Sequence, residues 1–315
     1  MSVLVDAHVH IFESKELGQQ WKDSYSIWEY GAKPNVMYSP YRGDFKDIVA
    51  AMEQSGYAHT VFLNIFFAQI ELDFAVAALG PEASQEEKEE TLQAVKGQLP
   101  ELMYQRNRWG CDLVRNDSRF SVLAAVDPTV VAPEENVAMI REFVESDGIK
   151  GIKIHPTIQR FWPDTPAMLP VWEVCEELEL IVLTHSGSTQ GGEQFAAPSA
   201  LAPVLRRFPR LKLQVAHLGG GRWKETVTLA DEFPQAFFDL CEIIEWIGAP
   251  QAPSSVELGE MIRSIGIERV LMGSDFPWYD LDRTASLVDE IRGISEGEKE
   301  MIMGGNASRM YQLGL

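Results

Sequence analysis

Eight short runs rich in β-branched residues alternate with amphipathic stretches along the whole chain, and this alternation restricts the fold more than any other feature. The runs are Val3–His10, Thr60–Phe66, Phe120–Asp127, Gly151–His155, Leu180–His185, Leu211–His217, Ala236–Cys241 and Val270–Asp275. Helical patterns lie between them. Asp44–Gly56 opens on an acidic cap, and Glu134–Ser146 follows Pro133 with Val137, Ile140 and Val144 on one face. Ser254 and Glu257 have the spacing of a capping box. Eight strand–helix units predict an α/β protein, a parallel (β/α)8 TIM barrel. The competing arrangement is an open doubly wound sheet. It needs a glycine-rich turn after its first strand, where this chain has Asp6-Ala7-His8-Val9-His10. No linker, repeat or low-complexity tract interrupts residues 1–315, which predicts a single barrel domain.

Two connections are too long for simple turns. Residues 11–43 follow the first strand and hold six of the sixteen Trp and Tyr residues: Trp21, Tyr25, Trp28, Tyr30, Tyr38 and Tyr41. Residues 68–118 follow the second strand and include the charged run Gln85–Lys96, which reads as a solvated helix. Both insertions leave from strand C-terminal ends, the face on which barrels carry their active sites. Loops or lids over a site are therefore expected, with the aromatics packing the first insertion onto the barrel.

Composition removes several classes of function. Twenty-seven basic and 47 acidic residues give a net charge of −20, which opposes nucleic acid and anionic membranes as partners. No apolar run reaches the roughly 18 residues of a membrane span. The first residues, MSVLVDAHVHIF, lack the basic start of a secretory signal. Cys111, Cys175 and Cys241 are odd in number and far apart, so they read as buried thiols in a reducing, cytoplasmic setting.

The histidines carry the chemistry. Alternate residues of a strand share a face, so His8 and His10 project together with Asp6 one step behind. Two imidazoles placed so can chelate a transition metal, whereas a lone histidine on an apolar strand is usually a core residue. Of the six histidines, His155, His185 and His217 also end strands, and Asp275 ends the eighth. Leu213, Val215 and His217 are expected on one face, as are Leu271, Gly273 and Asp275. Only His59 lies elsewhere. Closing the barrel gathers these ends into one metal-capable site.

The ordered set DAHVH, GIKIHP, THSG, AHLGGG, GSDFPW and GNASRMYQL resembles the amidohydrolase superfamily in its amidohydrolase-related branch, which includes aminocarboxymuconate semialdehyde decarboxylase, resorcylate decarboxylases and lactonases. The resemblance spans residues 6–313 and is weakest over 68–118. It implies that His8, His10, His185 and Asp275 ligate one divalent metal, with Zn preferred. It also implies that His217 assists proton transfer or polarises the substrate. Such a donor set suits Zn, Fe, Ni or Cu, and the carboxylate also admits Mn. Asp275 has a second expected role, taking a proton from metal-bound water. Some superfamily members carry a carbamylated lysine on the fourth strand. Lys153 is read instead as a free amine, paired with a carboxylate or facing the substrate. His155 is a hydrogen-bonding support or a substrate contact, and Asp6 orients the cluster. Arg222 and Trp278 are further substrate-binding candidates, whereas Arg42 reads as a surface ion pair. Gly219, Gly220 and Gly221 permit a tight turn or close backbone approach, since the phosphate-loop lysine is missing.

Two enzymatic readings share these ligands. One is hydrolysis of a small lactone, ester or amide through a metal-bound water. The other is non-oxidative decarboxylation of an aromatic or unsaturated carboxylic acid. A third reading, a barrel whose metal only stabilises it, fits less well, because structural zinc sites are closed and cysteine-rich and this one is expected to contain no cysteine. The partner expected is a small molecule. The resemblance also implies a homodimer as an assembly state.

Overall fold

The computed structural model describes residues 3–33 and 36–315; residues 1, 2, 34 and 35, the last two within the first insertion, lie outside the described residues. Eight strands form one sheet: β1 (Leu4–Val9), β2 (Tyr57–Leu63), β3 (Phe120–Ala125), β4 (Gly151–Ile154), β5 (Ile181–Thr184), β6 (Lys212–Val215), β7 (Ala236–Asp239) and β8 (Val270–Leu271). Each pairs in parallel with the next in sequence. The circle closes beyond β8. Ala7 N–H donates to the Met272 carbonyl and Asp275 N–H to the His8 carbonyl, each at 2.9 Å, and Val9 bridges Phe276. The eight units thus make the expected barrel. Helices cover its outside, so the strands are buried on both faces and read as nearly continuous apolar runs.

Local signals act as expected. The helix Phe45–Ser55 is capped by Asp44, whose side chain accepts from Asp47 N–H, and ends at Gly56 with φ 74°. Ser254 and Glu257 close a reciprocal capping box. The run Gln85–Lys96 is a helix with no buried residue. It belongs to a three-helix insertion with Ala68–Ala78 and Leu99–Val114. Asn107 pins the last of these to the barrel through both its amide atoms, at 2.9 and 2.7 Å from the Ala125 backbone.

Three expectations need correction. The second strand lies at Tyr57–Leu63, not Thr60–Phe66: it begins as soon as the left-handed Gly56 ends the preceding helix, which frees Ile65 and Phe67 to line a pocket. The eighth strand contracts to Val270–Leu271, and the chain turns left-handed at Asp275 beyond it. The face predicted for Leu213, Val215 and His217 is not shared. Leu213 and Val215 pack under the helices, while Gln214 points into the barrel. His217 reaches the interior because its own backbone is left-handed, at φ 59°.

The first insertion is both packing and wall. Trp21 and Tyr30 are buried, whereas Trp28 and Tyr38 are exposed. Below the site, Met310 and Tyr311 of the C-terminal helix Asn306–Tyr311 join an inner apolar cluster with Leu63, Leu123, Leu183 and Leu271. Among the described residues no helix is long and apolar enough to cross a membrane.

Candidate metal centre and active site

β1 delivers His8 and His10 to the C-terminal mouth of the barrel, and the turn after β8 brings Asp275 opposite them. Ligand atoms of His8, His10 and Asp275 all lie within 4.8 Å of one another. His8 Nε2 is 3.4 Å and His10 Nε2 is 3.2 Å from Asp275 Oδ1. The far nitrogens are anchored. His10 Nδ1 is 3.0 Å from the Leu63 carbonyl, and His8 Nδ1 is 3.1 Å from Asp239 Oδ2. A carbonyl can only accept, so Nδ1 of His10 carries the proton and Nε2 keeps its lone pair. Metal-ligating histidines are held in this way by a carbonyl or a carboxylate. The donor set therefore fits a divalent ion, and the left-handed backbone of Asp275, φ 61°, aims its carboxylate at the two imidazoles.

Electrostatics keeps the groups in ligating form. Burial and the neighbouring Lys153 push the His8 imidazole down to about 4. Burial alone would raise Asp275, but the three imidazoles around it, those of His8, His10 and His217, hold it well below the usual carboxylate range. Asp6 orients the strand end: its Oδ1 accepts the N–H groups of His8 and Ser274, each at 3.0 Å, and burial raises it to about 7.

The other predicted residues fall into two groups. His155, His185, His217, Lys153 and Trp278 line the same chamber. His185 does not join the three-atom group among the described residues. Its Nδ1 is 3.1 Å from His217 Nε2, and its ring stacks on His155 at 3.8 Å. His155 is a support, its Nδ1 accepting from Ile158 N–H at 3.3 Å. The Lys153 amine faces His8 Nε2 at 3.5 Å, not a carboxylate as one expectation had it, and burial lowers its pKa. Trp278 sets its edge against His10, ring centres 5.6 Å apart. Arg222 is not brought to the chamber; its guanidinium pairs with Glu225.

Several residues escaped the sequence reading. Asp239, at the end of β7, is the hub of the site. Oδ2 accepts from His8 and, at 2.8 Å, from Gln214 Nε2; Oδ1 accepts from His217 N–H at 2.9 Å and from Cys241 at 2.8 Å. Gln214 in turn accepts from the Tyr311 hydroxyl at 2.7 Å, so a buried chain of hydrogen bonds links the C-terminal helix to His8. Cys241 corrects the expectation of a site without cysteine: its Sγ lies 3.1 Å from Nδ1 of both His8 and His217. A charged residue closing the apolar strand Ala-Phe-Phe-Asp was the available signal for Asp239. Nothing in the sequence pointed to Glu29.

Glu29 fastens the first insertion. Its Oε2 accepts from Ser188 N–H at 2.6 Å and Gly221 N–H at 2.8 Å, in the loops after β5 and β6. Burial raises its pKa despite these bonds. A Cβ at Gly187 or Gly220 would meet this carboxylate at 2.8 Å, which explains the close approach expected of the glycine run. So held, the insertion places Trp21 and Tyr25 with Phe67 and Trp278 as aromatic walls of the chamber. A wider vestibule opens outward between residues 25–29, 157–160 and 188–195.

A TIM barrel with histidines and an aspartate gathered at its C-terminal mouth presents a donor set that could hold a metal ion. The chain belongs to the amidohydrolase family: the model of that family matches residues 5–313. It is 27% identical over 222 residues to a 2-amino-3-carboxymuconate-6-semialdehyde decarboxylase of Dictyostelium discoideum, a match covering 61% of this chain and 61% of that protein. Similar solved structures include an uncharacterized TIM-barrel protein of Bordetella bronchiseptica, at TM-score 0.69, 15% identity and 99% coverage of both chains. Another is a dihydroxybenzoic acid decarboxylase of Polaromonas with bound manganese and the inhibitor 2-nitroresorcinol, at TM-score 0.68 and 16% identity, covering 100% of this chain and 98% of that one. These two are likenesses of fold.

Proposed function

We propose that the protein catalyses the metal-dependent, non-oxidative decarboxylation of a small aromatic or unsaturated carboxylic acid. The observation that carries this is one chamber in which a His8–His10–Asp275 group faces aromatic walls, with Lys153 and His217 beside it. The activity in the name of the Dictyostelium relative supports the same reading.

His8, His10 and Asp275 would hold the ion, with His185 as the fourth ligand expected from the sequence. Zn is our assignment, and Mn is the alternative that the carboxylate allows. When bound, the ion supplies Lewis-acid attraction for the substrate's oxygens. Trp21, Tyr25, Phe67 and Trp278 sandwich a planar substrate and exclude water. The Lys153 amine offers a hydrogen bond or positive charge to the substrate's carboxylate. As the carbon–carboxyl bond breaks, its electron pair stays on carbon, carbon dioxide leaves, and the carbon takes a proton. His217, in its imidazolium form, is the residue we assign to deliver that proton, which leaves it a neutral imidazole.

Hydrolysis of a lactone, ester or amide is the second reading. It is favoured by Asp275 lying within 4.8 Å of a His217 nitrogen, a pairing able to take a proton from water and pass it on. Metal-replete enzyme incubated with a panel of unsaturated and aromatic acids, lactones and esters separates the two by product mass. We expect a product lighter by one carbon dioxide, lost in His10→Ala. A product heavier by one water would overturn decarboxylation in favour of hydrolysis. The homodimer and the cytoplasmic location belong to the same proposal, with light scattering and cell fractionation as their tests.

A further inference from the structure

Glu242 follows β7 where the inner chamber meets the vestibule. It lines the vestibule, yet its carboxylate lies within 4.8 Å of ligand atoms of His217 and Asp275, which line the chamber. The residue is 2% exposed, and its Oε1 has no hydrogen-bond partner among the described residues. The Tyr30 hydroxyl lies beside it without closing a hydrogen bond. Glu29, Asp275 and Asp239 all place negative charge near it. Its backbone sits at φ 62°, ψ −66°, a conformation that L side chains rarely adopt. A buried carboxylate oxygen left unbonded among like charges is costly, and such exceptions mark places where a ligand completes the site.

We infer that Glu242 accepts a hydrogen bond from the substrate, so that the preferred substrates carry an N–H or O–H donor besides the carboxyl group that is lost. The inference rests on the decarboxylase reading and narrows its substrate class. A substrate donor fits better than a second metal ion. His217 Nε2 is already bonded to His185 and its Nδ1 to the Cys241 carbonyl, which leaves a second ion only carboxylates. A site built to bond a substrate N–H or O–H discriminates strongly against the analogue without it, because its own buried acceptor is then left unpaired. Glu242 is thus a specificity-determining residue that touches substrate.

The test uses metal-loaded enzyme with benzoate, 2-hydroxybenzoate and 2-aminobenzoate, their binding measured by calorimetry and metal content by elemental analysis. Wild type is expected to bind a donor-bearing acid at least about tenfold tighter than benzoate. Glu242→Ala is expected to bring that ratio to within about twofold while metal content stays unchanged. Glu242→Gln keeps the shape and a carbonyl acceptor, and so should retain part of the preference and guard against a folding defect in the alanine variant. A preference that survives Glu242→Ala overturns the inference. So does a second metal per chain in wild type that Glu242→Gln removes, since the residue would then be a ligand. Failure of wild type to bind any of the three acids would instead strike at the aromatic-acid reading, and the inference would fall with it.

Discussion

Replacing Asp239 by asparagine tests whether the tautomer of His8 is what makes the centre able to bind metal. The shape is kept, but one carboxylate oxygen becomes an NH2 group. Oδ1 of Asp239 accepts from the backbone N–H of His217, a donor that cannot change, so the asparagine carbonyl must stay on that side. Its NH2 group then faces His8 Nδ1 and Gln214 Nε2. Gln214 can relieve its clash by rotating its amide together with the Tyr311 hydroxyl. His8 can relieve its own only by moving its proton from Nδ1 to Nε2, which removes the lone pair that points at Asp275. Partners of this kind are worth about 10–100-fold in metal affinity, or about 1.4–2.7 kcal/mol. Zn titration against a chelator of known affinity should show that loss, with circular dichroism reporting an intact fold. An Asp239→Asn protein that binds Zn within about twofold of wild type would refute the argument, because the proton on His8 would then not be set by Asp239.

Two other perturbations probe the frame around the site. Glu29→Ala leaves the N–H groups of Ser188 and Gly221 without their acceptor, at a cost of about 2 kcal/mol in total; Tm should fall by roughly 3 °C and residues 11–43 should become easier to cleave by protease, and unchanged values for both would show that the insertion is held by other contacts. His59 is pushed down to about 4 by burial, while an unfolded chain protonates it near 6.5, so the unfolded state binds the extra proton in that window and stability is lost as pH falls through it, by up to about 3 kcal/mol. Denaturant unfolding of wild type and His59→Gln between pH 7 and 4 should show a flatter profile in the variant, and parallel profiles would exclude His59 as the cause.

The barrel was legible because its signal is repeated. Each strand–helix unit carries its own apolar run, and eight errors would be needed to lose the pattern. The strand-end histidines were legible for the same reason: burying imidazole is costly unless the group is used, and five fall at the same end of one circle of strands. What stayed hidden depends on backbone conformations that alternation does not describe. His217 and Asp275 enter the chamber through left-handed residues, so strand parity assigned His217 the right place by the wrong route. Asp239 was visible as a charge on an apolar strand but lay outside the histidine argument. Glu29 acts across 159 and 192 positions of sequence onto loop N–H groups that leave no trace in side-chain patterns. Arg222 was chosen for its charge beside the glycine run, and a neighbour one helical turn away takes that charge up.

The seat of Glu29 bears on how such a barrel is re-engineered. Loops at a barrel mouth invite exchange between homologues, because each joins neighbouring elements and is taken to be independent of the rest. Here the first insertion is not a free-standing cassette. Its carboxylate is socketed between Gly187 and Gly220, in loops that begin beside His185 and His217. A graft of residues 11–43 from a homologue without an acid at 29 would leave an empty socket, and a host with alanine at 187 or 220 would reject the native loop. Recombination designed to change the substrate should therefore move positions 29, 187 and 220 as a single block.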